Sequence, residues 1–181
     1  MLRVAVTLAF FMFGIYASVI SAFEPDVNDR MELDVAGAIL QIKERDPGIQ
    51  AFFDDSAGYA VFPSVGKGGV VIGGAFGRGL VIVGEQVDGY TSLSQATIGL
   101  QLGGQKYSQF IFFKDDTALN HFKRGNFEFG AQASAIAITA GASADAAYDA
   151  GVAIFTVAGG GLMFEGSVGG QRFSYEPKSE D

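Results

Sequence analysis

Six cations stand beside apolar, glycine-rich sequence in this chain: Lys67, Arg78, Lys106, Lys123, Arg124 and Arg172. If several converge on one groove, their ammonium and guanidinium groups can bind phosphate while a glycine-lined sheet admits an acyl chain. Phe76 and Phe164 are the candidates for apolar contact beside them. The plainer readings are that turn-tip cations serve solubility and that both phenyl rings pack in a core; the residues alone leave these open. Other chemistry is poorly provided for. The single His121 sits next to Phe122 and Lys123 without a sequence-adjacent orienting acid or nucleophile, so a solvated or capping imidazole is expected. Asp54-Asp55 and Asp115-Asp116 could hint at a hard cation, but no loop supplies the spaced oxygen ligands calcium needs, and helix-end capping explains them more simply. No G-x-S-x-G, H-E-x-x-H or P-loop pattern occurs. No catalytic residue, metal or cofactor is therefore expected, and the chain reads as a non-enzyme.

The elements that must position these residues follow from periodicity. Val27, Met31, Val35, Ala38, Ile39 and Ile42 recur at steps of three and four after a start at Pro25-Asp26, the stripe of an amphipathic helix; Leu33 and Leu40 fall on another side of it. The charges on its polar face are mixed, unlike the basic face of a lipid-inserting helix. Asp46-Pro47-Gly48 stops that helix and starts a short second one, with Asp46 as cap and Ile49, Phe52 and Phe53 inward. From Gly58 the period becomes two. Strands are expected at 58–62, 69–75, 80–87, 89–93, 96–103, 107–113, 131–139, 152–158, 161–168 and 171–175, with Gly77-Arg78-Gly79 at a hairpin tip. A helix near 115–123, capped by Asp115 or Asp116, interrupts them, and the chain ends in a polar tail from Lys178. The implied class is α+β: N-terminal helices packed on a strongly curved, mostly antiparallel, Gly-rich β-sheet, barrel-like or sandwich. The 26 glycines would mark bends and close backbone approaches within it.

Composition narrows the setting. Residues 1–22 have a short positive start, an apolar run from Val4 to Ile20 and the small pair Ser21-Ala22, the layout of a signal peptide, with an uncleaved anchor as the alternative. The expected division is 1–22 as leader and 23–181 as one domain, helical over 24–55 and β-rich over 56–176. There is no cysteine, so neither a lipidated thiol nor a disulfide is available, and an exported chain must rely on packing. The formal charge is −8, and loss of Arg3 with the leader would make it −9. That balance argues against nucleic acid, and attraction to an acidic membrane would need a local basic patch.

Several blocks in one order are similar to the signature of the SYLF-domain family: Phe62-Pro63; Lys67-Gly68-Gly69; Gly73-Gly74-Ala75-Phe76-Gly77-Arg78-Gly79; Gly99 to Gln105; Phe127-Glu128-Phe129-Gly130-Ala131; and Gly161 to Gly166. The resemblance covers about Asp46 to Tyr175. It implies a non-catalytic, membrane-lipid-binding domain, with phosphoinositide binding and actin association in eukaryotic members. It gives Lys67 and Arg78, inside the signature block, the first claim among the cations. The expectation is thus a phospholipid-binding module of the cell envelope, exported to the periplasm or beyond and peripherally membrane-associated. The alternatives are an integral outer-membrane β-barrel or a structural, protein-interaction protein, with self-association through the N-terminal helix as one form.

Overall fold

The computed structural model describes residues 23–69, 72–98, 105–125, 127–130, 133–158 and 166–179. The signal-peptide expectation for 1–22 and the placement of Phe164 lie outside them. Helix α1 spans Arg30–Arg45, α2 Gln50–Asp55 and α3 Asp116–Lys123. The strands are β1 Gly58–Gly69, β2 Ile72–Val83, β3 Gln86–Ile98, β4 Gln105–Phe113, β5 Phe127–Glu128, β6 Ser134–Ala137, β7 Val152–Ala158, β8 Gly166–Ser167 and β9 Arg172–Pro177. They form one sheet in the order β5-β9-β3-β2-β1-β4-β7-β6-β8, antiparallel except where β6 meets β7. The expected class, N-terminal helices on a curved and mostly antiparallel sheet, is what the chain adopts.

Helix α1 starts later than the sequence suggests. Asp29 is its cap, accepting from the N–H groups of Met31 at 2.7 Å and Glu32 at 3.1 Å. Val27 therefore precedes the helix and is exposed, whereas Val35, Ala38, Ile39 and Ile42 are buried against the sheet. Asp46 ends α1 and caps a 3-10 turn over Pro47–Ile49, as its position before proline implies.

The glycine block departs most from expectation. Gly77-Arg78-Gly79 is no hairpin tip: it lies within β2, paired with Val65 and Ser64 of β1 and with Leu93, Ser92 and Thr91 of β3. Glycine is needed at 79 because a Cβ there would run into the Val61 carbonyl oxygen, beside the register shift at Phe62-Pro63, where proline donates no ladder bond. The turn falls instead at Gly84-Glu85, whose positive φ values of 53° and 70° suit a tight hairpin, so the strand expected over 80–87 breaks there.

The two ends of the sheet are joined by a pair of chain segments. β5 sits on β9 and β6 on β8, and between these pairs Phe129 N–H donates to Gln171 O at 3.0 Å, Gly170 N–H to Phe129 O at 3.0 Å and Val168 N–H to Ala133 O at 3.2 Å. This bent ribbon holds the sheet in its curl. Two cores result. On the outer face α1 and α2 cover Val61, Leu80, Ile82, Phe110 and Phe112, with Phe52 and Phe53 of α2 against the Phe112 ring. On the inner face Val81, Leu93, Ile111 and Phe113 meet Leu119 and Phe122 of α3.

Candidate membrane-facing surface

Helix α1 covers only the upper half of the outer face. Below it, strand register aligns one cross-strand row: Lys106 on β4, Gly66 on β1, Phe76 on β2, Ser94 on β3, Arg172 on β9 and Glu128 on β5. All six are exposed, Phe76 by 55%. Directly opposed residues of an antiparallel pair share a face, and strands lie about 4.8 Å apart, so Lys106 and Arg172 stand roughly 10 Å to either side of Phe76. A second row, two residues along, holds Ser64, Arg78, Ser92 and Ser174. Ser92 and Ser174 are joined through their hydroxyls at 2.6 Å. An open hollow of about 390 Å³ lies between the rows, lined by Ser92, Ser94, Glu128, Arg172, Phe173 and Ser174.

The cations differ in freedom. Arg172 Nε donates to Glu128 Oε2 at 2.9 Å, an exposed pair worth at most about 1 kcal/mol. Among the described residues no carboxylate lies within ion-pair distance of Arg78 or Lys106. Lys123 is committed elsewhere: it donates to Asp88 Oδ1 at 2.8 Å, while the Tyr175 hydroxyl donates to Asp88 Oδ2 at 2.6 Å, tying α3 to β3 and β9. Burial, and then the Asp88 hydrogen bond and charge, push the Tyr175 hydroxyl up from its ordinary pKa. Arg124 is an exposed residue at the end of α3, away from the row.

Lys67 parts company with the other sequence candidates. It pairs with Ala75, which is buried in the inner core, and Ala75 pairs with the buried Gln95. Lys67 therefore points to the opposite side of the sheet from Phe76 and Arg78. Thus Phe76, Arg78, Lys106 and Arg172 come together, and Lys67 does not join them. The odd spacing between Ala75 and Arg78 decides this, and it could be read only once the pairing was known.

Three polar features were not anticipated. Glu32, one of the charges along α1, is 4% exposed; it accepts from Asp26 N–H at 2.8 Å and from Lys178 Nζ at 3.1 Å, so the polar tail is anchored. The Glu32 hydrogen bond is the main cause raising the Lys178 pKa. Inside the curl, Gln109 and Gln171, both fully buried, exchange amide hydrogen bonds at 2.8 and 3.2 Å, and Gln171 also donates to Tyr107 at 3.4 Å. Burial raises the Tyr107 hydroxyl to about 12 even against that bond. Asp46, 2% exposed, caps the 3-10 turn and also accepts from Ser143 N–H at 2.7 Å. Burial works to raise its pKa, but the donors from Ser143, Gly48 and Gly141 outweigh it, and the carboxyl lies below its ordinary value. A capping motif announced the local half of the Asp46 interaction; nothing in the sequence announced the long-range partners.

Elsewhere, Ser134, His121 and Asp149 line one groove of about 490 Å³ beside Phe127 and Phe129. Among the described residues no hydrogen bond joins the three; the imidazole lies edge-on to Phe127, with ring centroids 5.2 Å apart. No group of three metal-ligating side chains occurs among the described residues, nor a helix long and apolar enough to cross a membrane.

Residues 94–179, from the end of β3 through β9, match the Ysc84 family, described as Las17-binding protein actin regulator. Beta cell expansion factor A of Aeromonas veronii is 27% identical over 138 residues, 75% of this chain and 52% of that protein, so the chain spans about half the length of this bacterial relative. The signature blocks before residue 94 fold into β1 and β2, hydrogen-bonded in one sheet with the matched strands. By this match and this likeness, the chain is similar to the Ysc84/SYLF family over residues 94–179.

Proposed function

We propose that the protein is a non-catalytic phospholipid-binding module of the cell envelope, exported behind residues 1–22, which docks on a membrane surface through the open half of its outer sheet face. The supporting observation is the cross-strand row that places exposed Phe76 between Lys106 and Arg172, with Arg78 one row away. An aromatic ring entering the headgroup boundary, flanked by cations that bind phosphate oxygens, suits a phospholipid surface better than a soluble anion. It also answers the charge problem: the chain is −8 overall, yet Lys106, Arg78 and Arg172 against Glu128 make this patch locally positive within a Debye length. A shallow surface contact is favoured over a spanning barrel. A barrel needs an apolar, lipid-facing outer band, whereas here the outer row is charged and serine-rich apart from Phe76, and most apolar outer residues lie under the N-terminal helices. The actin regulation in the family's description is not carried into this reading, because an exported chain would not ordinarily meet the filament.

Flotation of the protein with vesicles of phosphatidylcholine alone or with an added anionic phospholipid tests the proposal. Each surface cation near an acidic membrane is worth about 1 kcal/mol, so Arg78→Ala and Lys106→Ala should each weaken binding about fivefold, and more at low salt. Lys67→Ala, on the other face, should leave it unchanged. Binding to none of the vesicles, or equal sensitivity to Lys67→Ala and Arg78→Ala, would overturn the reading.

A further inference from the structure

Helix α1 carries a second unpartnered surface, separate from the row just described. On the side turned from the sheet, Arg30, Leu33, Gly37, Leu40 and Glu44 recur at steps of three and four, and all five are exposed, Leu40 by 63% and Leu33 by 43%. A helix buried on one side normally presents polar residues on the other. This one presents two leucines with a glycine between them. A Cβ at Gly37 would meet nothing within 4 Å, so no contact within the chain requires glycine at a position where it weakens the helix. What glycine does permit is close approach of another helix axis.

The order of the charges identifies that helix. Gly37 stands midway between Arg30 and Glu44, and a leucine lies on each side of it. A two-fold axis through Gly37 places Arg30 beside Glu44 of a second copy, and Glu44 beside that copy's Arg30. Leu33 then meets Leu40 of the second copy, offset by only one residue, about 1.5 Å along the axis. The turns that flank the stripe agree: Asp26, Asp29 and Asp34 make the N-terminal end acidic, while Lys43 and Arg45 at the other end outnumber Glu44. An antiparallel pair sets these ends against each other and opposes the helix dipoles; a parallel pair sets like against like. Arg30 is held within its own helix only by Asp34, at 3.8 Å with both side chains largely exposed, so it can turn to a stronger partner.

We infer that two copies of this chain associate through α1, packed antiparallel about Gly37, with Leu33 against Leu40 and Arg30 paired to Glu44 across the two-fold axis. This inference is independent of the membrane reading. The interface is small, so the dimer is concentration-dependent and weakened by salt.

Sedimentation equilibrium of residues 23–181, from which both described cores are built, tests it without lipid. The unaltered protein should show a monomer–dimer equilibrium. Arg30→Glu and Glu44→Arg should each weaken it by about tenfold, because each sets two like charges face to face. Mixed in equal amounts, the two variants should dimerise again, since each then offers the charge the other lacks; the doubly exchanged chain should do so alone. Leu40→Asp should also dissociate the dimer, and Gly37→Leu should do so by holding the axes apart. A mass that stays monomeric up to hundreds of micromolar, or a dimer unaffected by these exchanges, overturns the proposal. So does a Leu40→Asp variant that loses vesicle flotation with its mass unchanged, which would assign the stripe to membrane contact.

Discussion

The upper and lower halves of strands β1 and β2 are the same chain, twisted and hydrogen-bonded alike, yet they meet different surroundings. In the upper half Gly58 to Phe62 and Leu80 to Ile82 are buried without a break, because α1 covers one face and the inner core the other. In the lower half only the inner face is covered, and Phe76 and Arg78 stand in solvent while Ala75, Gly77 and Gly79, which alternate with them, are buried. The difference shows how one sheet separates its work. Continuous apolar sequence marks where it is held together from both sides, and alternation marks where one face remains available for contact.

The strongest way to break this contrast is to remove one ring from each half. Phe112 is fully buried among Phe52, Phe53, Tyr59 and Phe155, and Phe112→Ala should cost about 3 to 5 kcal/mol in denaturant titration, from lost burial and the cavity left behind. A smaller effect is expected at the joint that fixes the covered half in place. Asp46 bonds the start of the 3-10 turn to Ser143, 97 residues away, and Asp46→Asn should cost about 1 to 3 kcal/mol. Because its folded pKa is depressed, the Asp46 contribution is complete above the unfolded value near 3.8 and is lost as pH falls through the folded value. Stability measured from pH 6 down to pH 2 should therefore fall less steeply in Asp46→Asn than in the unaltered chain. At the small end, Phe76→Ser on the open half should change stability by less than about 0.5 kcal/mol. The same substitution should still reduce vesicle binding, and a large loss of stability would mean that Phe76 belongs to the core.

Much of the covered half was legible in advance. The α1 stripe, the Asp46-Pro47 junction and the Asp115-capped helix were readable because each depends on residues within one or two turns of one another. Val27 was misplaced since apolar spacing alone does not show that Asp29 is the cap. The glycine block misled for a related reason. Glycine suits a turn and a close backbone approach equally well, and which one occurs at Gly79 depends on Val61 of the neighbouring strand. The sequence named the proposed contact residues but could not sort them by face. Lys67 was separated from Arg78 by register, and Lys123 was withdrawn by Asp88, residues remote from it along the chain.

By itself, then, the sequence determined the class of fold, the helices though not the cap of α1, the lack of thiol chemistry and the family likeness, since composition and short-range periodicity are local properties. Tertiary structure decided which cations share a surface, that the buried Glu32 is paired with the exposed Lys178, and that Gln109 meets Gln171 across the curl. Each of those outcomes depends on strand register and on how the sheet closes. Both are set by packing between segments far apart in the chain, where a shift of one residue would turn every side chain to the other face.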